Sequence, residues 1–360
     1  MQNRKICVFY MGGTIAMRRD PQGVAQLPDD PEAFLASFPE VGKRYELEQV
    51  TLTNRDSANV GPAEWSALAR AIYERRRAGY AGFVVVHGTD TMHYTATALA
   101  FALGGSPLAT PVALTGALHP MGSENFDGAR NLEHACRVVT GNFGEVMIVF
   151  GGRILRGCQS EKTRVGTEGQ AAFEMPRREP LGRVLASGQL SLGMKLVERG
   201  RLAESDEEDH YEPGDTVNPG FADRVWPIVL RPGMTAAMCE GWLDRGCRGV
   251  VLQGFGDGNV PDHEAGGWVD WIRRATAADV PVVLTSPLSA VGTEDCDYPP
   301  GRAAVEAGAI PVGAMTTTCV HVKLQWTIAR AHHEGGPIVP QVREMMRQVW
   351  VREMDAAEEE

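Results

Sequence analysis

The chain has no apolar run long enough to cross a bilayer, no Cys-x-x-Cys pair and no dense block of lysine and arginine. Each absence removes a class of function. A transmembrane helix needs about 20 apolar residues, so none is expected. The opening MQNRKICVFY is too short for a signal-peptide core and is interrupted at once by Gly12 and Gly13. Cys7, Cys136, Cys158, Cys239, Cys247, Cys296 and Cys319 are an odd, widely spaced set. They read as reduced, mostly buried thiols of a cytoplasmic protein, and no metal site is expected from them. With 35 Lys and Arg against 46 Asp and Glu, the net charge is −11, which is unsuited to neutralising phosphates. Nucleic acid and membrane are therefore not expected partners. A Gly-x-Ser-x-Gly elbow is also missing, which removes a serine hydrolase of the α/β type.

What is present is ample apolar sequence: 43% of 360 residues, more than one core usually takes up. Short runs rich in Val, Ile and Leu recur at 6–10, 83–86, 112–115, 146–150, 228–230, 250–252 and 282–284. Such runs suit strands buried on both faces, so a parallel α/β sheet is predicted. After Pro62, residues Trp65, Leu68, Ala69, Ile72 and Tyr73 fall on one helical face, with Gly79 as a stop. Between Arg201 and Arg224 the pattern gives way to an acidic stretch containing Pro213 and Pro219. The predicted organisation is a catalytic α/β domain over 1–200, an acidic linker over 201–225 and a second α/β domain over 226–360, about 130 residues long. The end, after Met354, reads as a solvated acidic tail.

In parallel sheets, ligands bind beyond the carboxyl ends of the strands. Two predicted strands run into unusual loops there: Met11-Gly12-Gly13-Thr14 and His87-Gly88-Thr89-Asp90-Thr91. Read separately, each is an ordinary turn in which a Thr or Asp caps the next helix. Read together, they bring hydroxyls, a carboxylate and glycines to one sheet edge. A hydroxyl attacking an amide needs a base, a cation or a fixed relay, and Thr89, Asp90 and Lys162 are candidates beside Thr14. Glycines let substrate and backbone N–H donors approach closely, as stabilising an oxyanion requires. Hydrolysis through an acyl-enzyme is the indicated chemistry.

Met-Gly-Gly-Thr-Ile-Ala at 11–16 and His-Gly-Thr-Asp-Thr-Met at 87–92 resemble the two signature motifs of the L-asparaginase/glutaminase family. The likeness is closest to cytoplasmic, type I-like members. It extends through Asp56-Ser57-Ala58-Asn59, Thr115-Gly116-Ala117, residues 254–259 and Ala307-Gly308-Ala309-Ile310-Pro311. The resemblance implies a larger N-terminal, mostly parallel (flavodoxin-like) sheet flanked by helices, and a smaller C-terminal Rossmann-like α/β domain. It implies hydrolysis of L-asparagine to aspartate and ammonia without a cofactor, in a homodimer or homotetramer. Thr14 would be the nucleophile, with Thr89, Asp90 and Lys162 as relay. Gly13, Gly88, Ser57 and Asp56 would line the substrate site, Asp90 would meet the α-ammonium, and the Ala117 carbonyl would accept from the leaving amide. Asn259 would belong to a segment that reaches a neighbouring protomer's site.

Three departures qualify the likeness. Val24 follows Gly23 where relatives usually carry a tyrosine that helps activate the threonine, Thr318 stands where they tend to have an acid, and the stretch from Lys162 to Phe173 is longer than usual. Related amides (glutamine, a D-amino acid amide, a peptide-borne amide) and a non-catalytic asparagine sensor remain open alternatives. A dinucleotide-binding reading of Gly254–Gly258 is a weak rival: an acid for the ribose is expected about 20 residues on, at the end of the next strand, yet that strand, 282–284, ends in Thr285-Ser286. His87 is expected to orient its loop, His93 to face solvent, and His210, His332 and His333 to be surface residues. Met11 and Met17 are expected to be packing residues.

Overall fold

The structure is a computed structural model that describes residues 5–104, 108–163, 172–176, 178–193, 196–200, 220–263, 267–288, 292–294 and 297–354. The chain divides into two compact units, Met1–Val217 and Asn218–Glu360. The acidic stretch read as a linker lies mostly within 201–219, outside the described residues, as do His210, Cys296 and the terminal tail. The other six cysteines are buried and form no disulfide among the described residues. No helix among the described residues is long and apolar enough to cross a membrane.

In the first unit the strands are β1 (Lys5–Tyr10), the short hairpin β2 (Arg18–Arg19) and β3 (Ala25–Gln26), β4 (Glu46–Thr51), β5 (Gly82–Val86), β6 (Val112–Thr115), β7 (Val146–Phe150), β8 (Arg153–Arg156), the pair β9 (Glu161–Lys162) and β10 (Phe173–Glu174), β11 (Gly182–Val184) and β12 (Leu190–Leu192). Its helices are α1 (Pro39–Gly42), α2 (Pro62–Arg75), α3 (Met92–Leu103) and α4 (Gly128–Val139). The eight-stranded sheet has the order β12-β11-β8-β7-β6-β5-β1-β4. Its parallel part, taken from β4 to β7, follows the 2-1-3-4-5 order of flavodoxin-like sheets, with antiparallel β8, β11 and β12 added beyond β7. Every residue of β1 beyond Lys5 is buried, as are all residues of β5, β6 and β7, because helices leave these central strands no solvent face.

Period-2 alternation divides the core. Ile6, Val8, Tyr10, Val84 and Val86 pack with Leu132, Ala135, Val138 and Val139 of α4. Gly82 permits that approach, since a Cβ there would lie 2.3 Å from the Val139 Cβ. The intervening Phe9 and Phe83 meet each other at 5.9 Å. Helix α2 runs as its apolar spacing predicts, burying Trp65, Leu68, Ala69 and Ile72, although Tyr73 is only half-buried. Strand β4 has no Val/Ile/Leu run to announce it. It is a half-buried edge strand, ELEQVT, whose Glu48 pairs with Lys5 at 2.6 Å.

Arg156 and Glu145 form an ion pair inside this unit, with side chains 5% and 3% exposed. Glu145 also accepts the Val197 N–H at 3.0 Å, tying the β7–β8 hairpin to the chain beyond β12.

The second unit carries a four-stranded parallel sheet in sequence order: β13 (Val225–Val229), β14 (Gly249–Gln253), β15 (Val282–Thr285) and β16 (Ile310–Pro311). Around it lie α5 (Trp268–Ala277), α6 (Pro299–Glu306), α7 (Thr317–Glu334) and α8 (Ile338–Arg347). Thr316 caps α7 by accepting the Cys319 N–H, and Thr318, where relatives tend to have an acid, is buried in its first turn. His332 and His333 are exposed at the helix end. Lys323 of α7 is wholly buried, and its ammonium donates to the Met346 and Gln348 carbonyls at the end of α8 and to the Glu353 carboxylate at 2.7 Å.

Breaking the Glu145–Arg156 pair from one side leaves a buried guanidinium without its counter-charge. Glu145→Ala is expected to lower stability by about 3–5 kcal/mol, read as a fall in the urea midpoint of the first unit.

Candidate active site

The sheet order places a topological switch between β1 and β5, where connections leave to opposite sides and a crevice opens at the strand ends. Both sequence motifs sit there. Gly12 and Gly13 follow β1 with φ of 98° and 90°, a region that glycine enters without steric cost. A Cβ on Gly13 would lie 2.4 Å from the Gly88 nitrogen, and one on Gly12 would lie 2.5 Å from the Arg55 carbonyl oxygen. Gly88 in turn would drive a Cβ to 2.6 Å from the Ser57 Oγ, and Gly116 to 2.3 Å from the His87 carbonyl oxygen. Four loops therefore pack closely, backbone against backbone except where Gly88 meets the Ser57 side chain, and Thr14 and Thr89 each follow a glycine of one such contact.

Neither threonine caps a helix. Thr14 opens a single 3-10 turn, Thr14–Ala16, with no side-chain cap, and among the described residues its half-buried hydroxyl has no hydrogen-bond partner. Thr89 is 8% exposed, and its Oγ accepts from the Lys162 ammonium at 2.9 Å. The same ammonium meets the Asp90 carboxylate at 2.6 Å. Lys162 is no surface cation: its side chain is 12% exposed, whereas that of Asp90 is 63% exposed and free to meet a second cation. Strand β9 delivers Lys162 and is backed by β10 through the Lys162–Phe173 register. The connecting residues 164–171 of the long insertion lie outside the described residues.

Ser57 joins the two loops. Its Oγ accepts the Asp90 N–H at 3.2 Å, and its carbonyl accepts the Thr91 hydroxyl at 2.6 Å. Thr91, at the cap position of α3, spends its hydroxyl on that bond instead of on its own helix. Asp56 caps the turn Ser57–Asn59 by accepting the Ala58 N–H. Ala117 follows β6 and is buried. Thr14, Gly13, Gly88, Thr89, Asp90, Lys162 and Ser57 thus come together, with Asp56 and Ala117 on adjoining loops. Asn259 belongs to the second unit, where it closes the turn Phe255–Asn259 and donates to Asp257 at 2.6 Å.

His87 is fully buried behind the motif. Its Nδ1 lies 2.7 Å from the Gly88 carbonyl, which can only accept, so Nδ1 carries the proton and Nε2 accepts from Thr95 at 2.9 Å. This agrees with a loop-orienting role. His93 differs from expectation. It is 7% exposed, because every residue of α3 except Tyr94 is buried and the helix has no solvent side. It packs against β9 and β10, with Glu161 at 3.6 Å and the Phe173 ring at 6.2 Å. Met11 and Met17 are buried packing residues, as expected.

Val24 sits on the β2–β3 hairpin and is 54% exposed. Its N–H donates to the Asp20 carboxylate, which also accepts from Gln22 and Gln26 and shapes the turn. No phenol stands there. The only tyrosine on β1, Tyr10, is buried, bonded to Asn54, and has its hydroxyl pushed up to about 12 by burial, which makes it no base. Among the described residues no group of three or more His, Cys, Asp or Glu is arranged to hold a metal ion.

Comparison with known proteins gives the family. Residues 5–197 match the family profile described as Asparaginase, N-terminal, and residues 224–335 the one described as Glutaminase/Asparaginase C-terminal domain. The chain belongs to the asparaginase family. It is 31% identical over 336 residues to a glutamyl-tRNA(Gln) amidotransferase component of Aeropyrum pernix, covering 91% of this chain and 75% of that one. To L-asparaginase 1 of Escherichia coli K12 it is 29% identical, covering 92% and 93%. The crystal structure of L-asparaginase I from Vibrio cholerae superposes with a TM-score of 0.80 at 27% identity, over 98% of this chain and all of that one.

Burial pushes both His87 and His93 down to about 4, from 6.5 in the unfolded chain. Between those values the unfolded chain binds protons that the folded one refuses, so stability present above pH 6.5 is lost as pH falls towards 4. The urea midpoint should drop across that window, and His93→Gln should flatten the drop.

Proposed function

We propose that the chain hydrolyses the side-chain amide of a small amino acid, with L-asparagine as the first candidate, through an acyl-enzyme on Thr14. The observation that carries this reading is the Lys162 ammonium bonded to both Thr89 and Asp90, beside the Gly13–Gly88 contact that brings the two threonine loops together. In the first step the Thr14 oxygen forms a bond to the amide carbon, its proton passes to the departing nitrogen, and ammonia leaves. In the second step water adds to the ester, its proton returns to Thr14, and aspartate is released. Asparagine and water become aspartate and ammonia. The ammonium beside Thr89 lowers the cost of negative charge on that hydroxyl and so supports a relay that takes the proton from the attacking water.

The open carboxylate of Asp90 suits the substrate's α-ammonium, and Ser57 with its neighbouring backbone suits the α-carboxylate. Asp56, occupied with its own turn, is the weakest of the site candidates. Substrate preference within the amides is the finer question. The absence of a hairpin phenol at Val24 and the likeness to an amidotransferase component favour, as a second reading, an amide carried by a larger molecule. A cytoplasmic homo-oligomer, with Asn259 contributed to a neighbouring copy, is part of the proposal.

Ammonia release from asparagine, glutamine, their D-enantiomers and a peptide-borne amide tests the reading. Thr14→Ala should fall to background and Lys162→Met should lose about 10²–10⁴-fold. Full turnover by Thr14→Ala would refute the mechanism, and calorimetric binding of asparagine without any ammonia would favour a sensor. In Gly88→Ala the new methyl displaces Ser57, and a shift near 1 Å should cost about 10²-fold in kcat/KM while the chain stays folded by circular dichroism.

A further inference from the structure

We infer that Asp127, with Asn131, is a positioning residue that aims the Ala117 carbonyl at the substrate's leaving amide and strengthens it as an acceptor. The inference rests on the amide-hydrolysis reading above. Asp127 immediately precedes α4, where a carboxylate ordinarily accepts from the first N–H groups of its own helix. Here it makes no such bond. It turns back instead and accepts from the Leu118 N–H at 3.0 and 3.3 Å, the His119 N–H at 3.2 Å and the Asn131 amide at 2.9 Å. Asn131 lies one helical turn on and is fully buried. It donates to the Gly116 carbonyl at 3.0 Å and accepts the Gly151 N–H at 3.2 Å. Two side chains thus hold residues 116–119 at three backbone groups.

The peptide between Ala117 and Leu118 is held at its N–H and open at its carbonyl among the described residues. In a trans amide the carbonyl points opposite to its N–H, so a Leu118 N–H directed at Asp127 turns the Ala117 oxygen the other way. Ala117 is 1% exposed, yet among the described residues no donor bonds to its carbonyl. Buried backbone acceptors are seldom left unpaired, and this one stands at a strand end beside the two motif loops. A carboxylate drawing on the N–H polarises the whole amide and raises the electron density on its oxygen, so the charge of Asp127 is felt at the acceptor. A leaving –NH2 group offers N–H donors to that oxygen. The alkoxy group of an ester offers none.

The test compares L-asparagine with L-aspartate β-methyl ester, which has the same head group but no amide hydrogen. The ester is read through its inhibition constant against asparagine, which holds whether it is cleaved or merely bound. Asp127→Asn, which keeps the shape and removes the charge, should lower kcat/KM for asparagine by about 10–100-fold, while the ester's inhibition constant moves by less than about threefold. A merely structural role would weaken both together, and that result overturns the inference, as does a variant unchanged on asparagine. Should the variant fail to fold, Asp127→Ser keeps a neutral acceptor at the same place and is read by the same comparison. Wild-type protein that releases no ammonia from any amide overturns the hydrolysis reading itself. Active wild type with parallel losses overturns only the role of Asp127.

Discussion

The contacts on which the site depends are made by the main chain of glycines. Gly13 lies on Gly88, Gly88 on Ser57 and Gly116 on His87, each at a distance that excludes even one methyl group. These contacts bring a hydroxyl that follows β1 and a hydroxyl that follows β5 to one place, although a parallel sheet separates neighbouring strands by nearly 5 Å. The sheet order sets where this happens, and the glycines set how tightly. Lys162 then arrives from a separate two-stranded piece and supplies the charge.

Behind that contact stands a layer of polar groups with no exposure to water. His87, Asn131 and the Ser57 hydroxyl each bond the loop backbone and Thr95 holds the His87 ring, so the loops are fixed from the core side. Burial keeps the histidines neutral, which spares the Lys162–Asp90 pair a second cation nearby.

Much of this was legible in the sequence. The central strands showed themselves as apolar runs because both of their faces are covered, and α2 because only one of its faces is. Strand β4 was hidden, since an edge strand half in solvent carries Glu and Gln among its apolar residues. His93 was misread because a helix packed on all sides gives no period to follow. At the site, the two motifs and Lys162 could be named, but only the family resemblance grouped them as a relay, since Lys162 stands 72 residues from Asp90 and no local spacing links them. Asp127 and Asn131 were passed over, although their spacing of four on a helix start was a signal that both face one loop.

The Lys323 clasp has a consequence for how the second unit is completed. Its ammonium lies wholly inside, and all its partners, at 346, 348 and 353, emerge from the ribosome after α7 has been made. Until residues 346–353 arrive, α7 holds a cation without its partners, so closure of the core around Lys323 waits on a segment made after the helix itself. Removing Glu353 would leave that ammonium buried without its counter-charge.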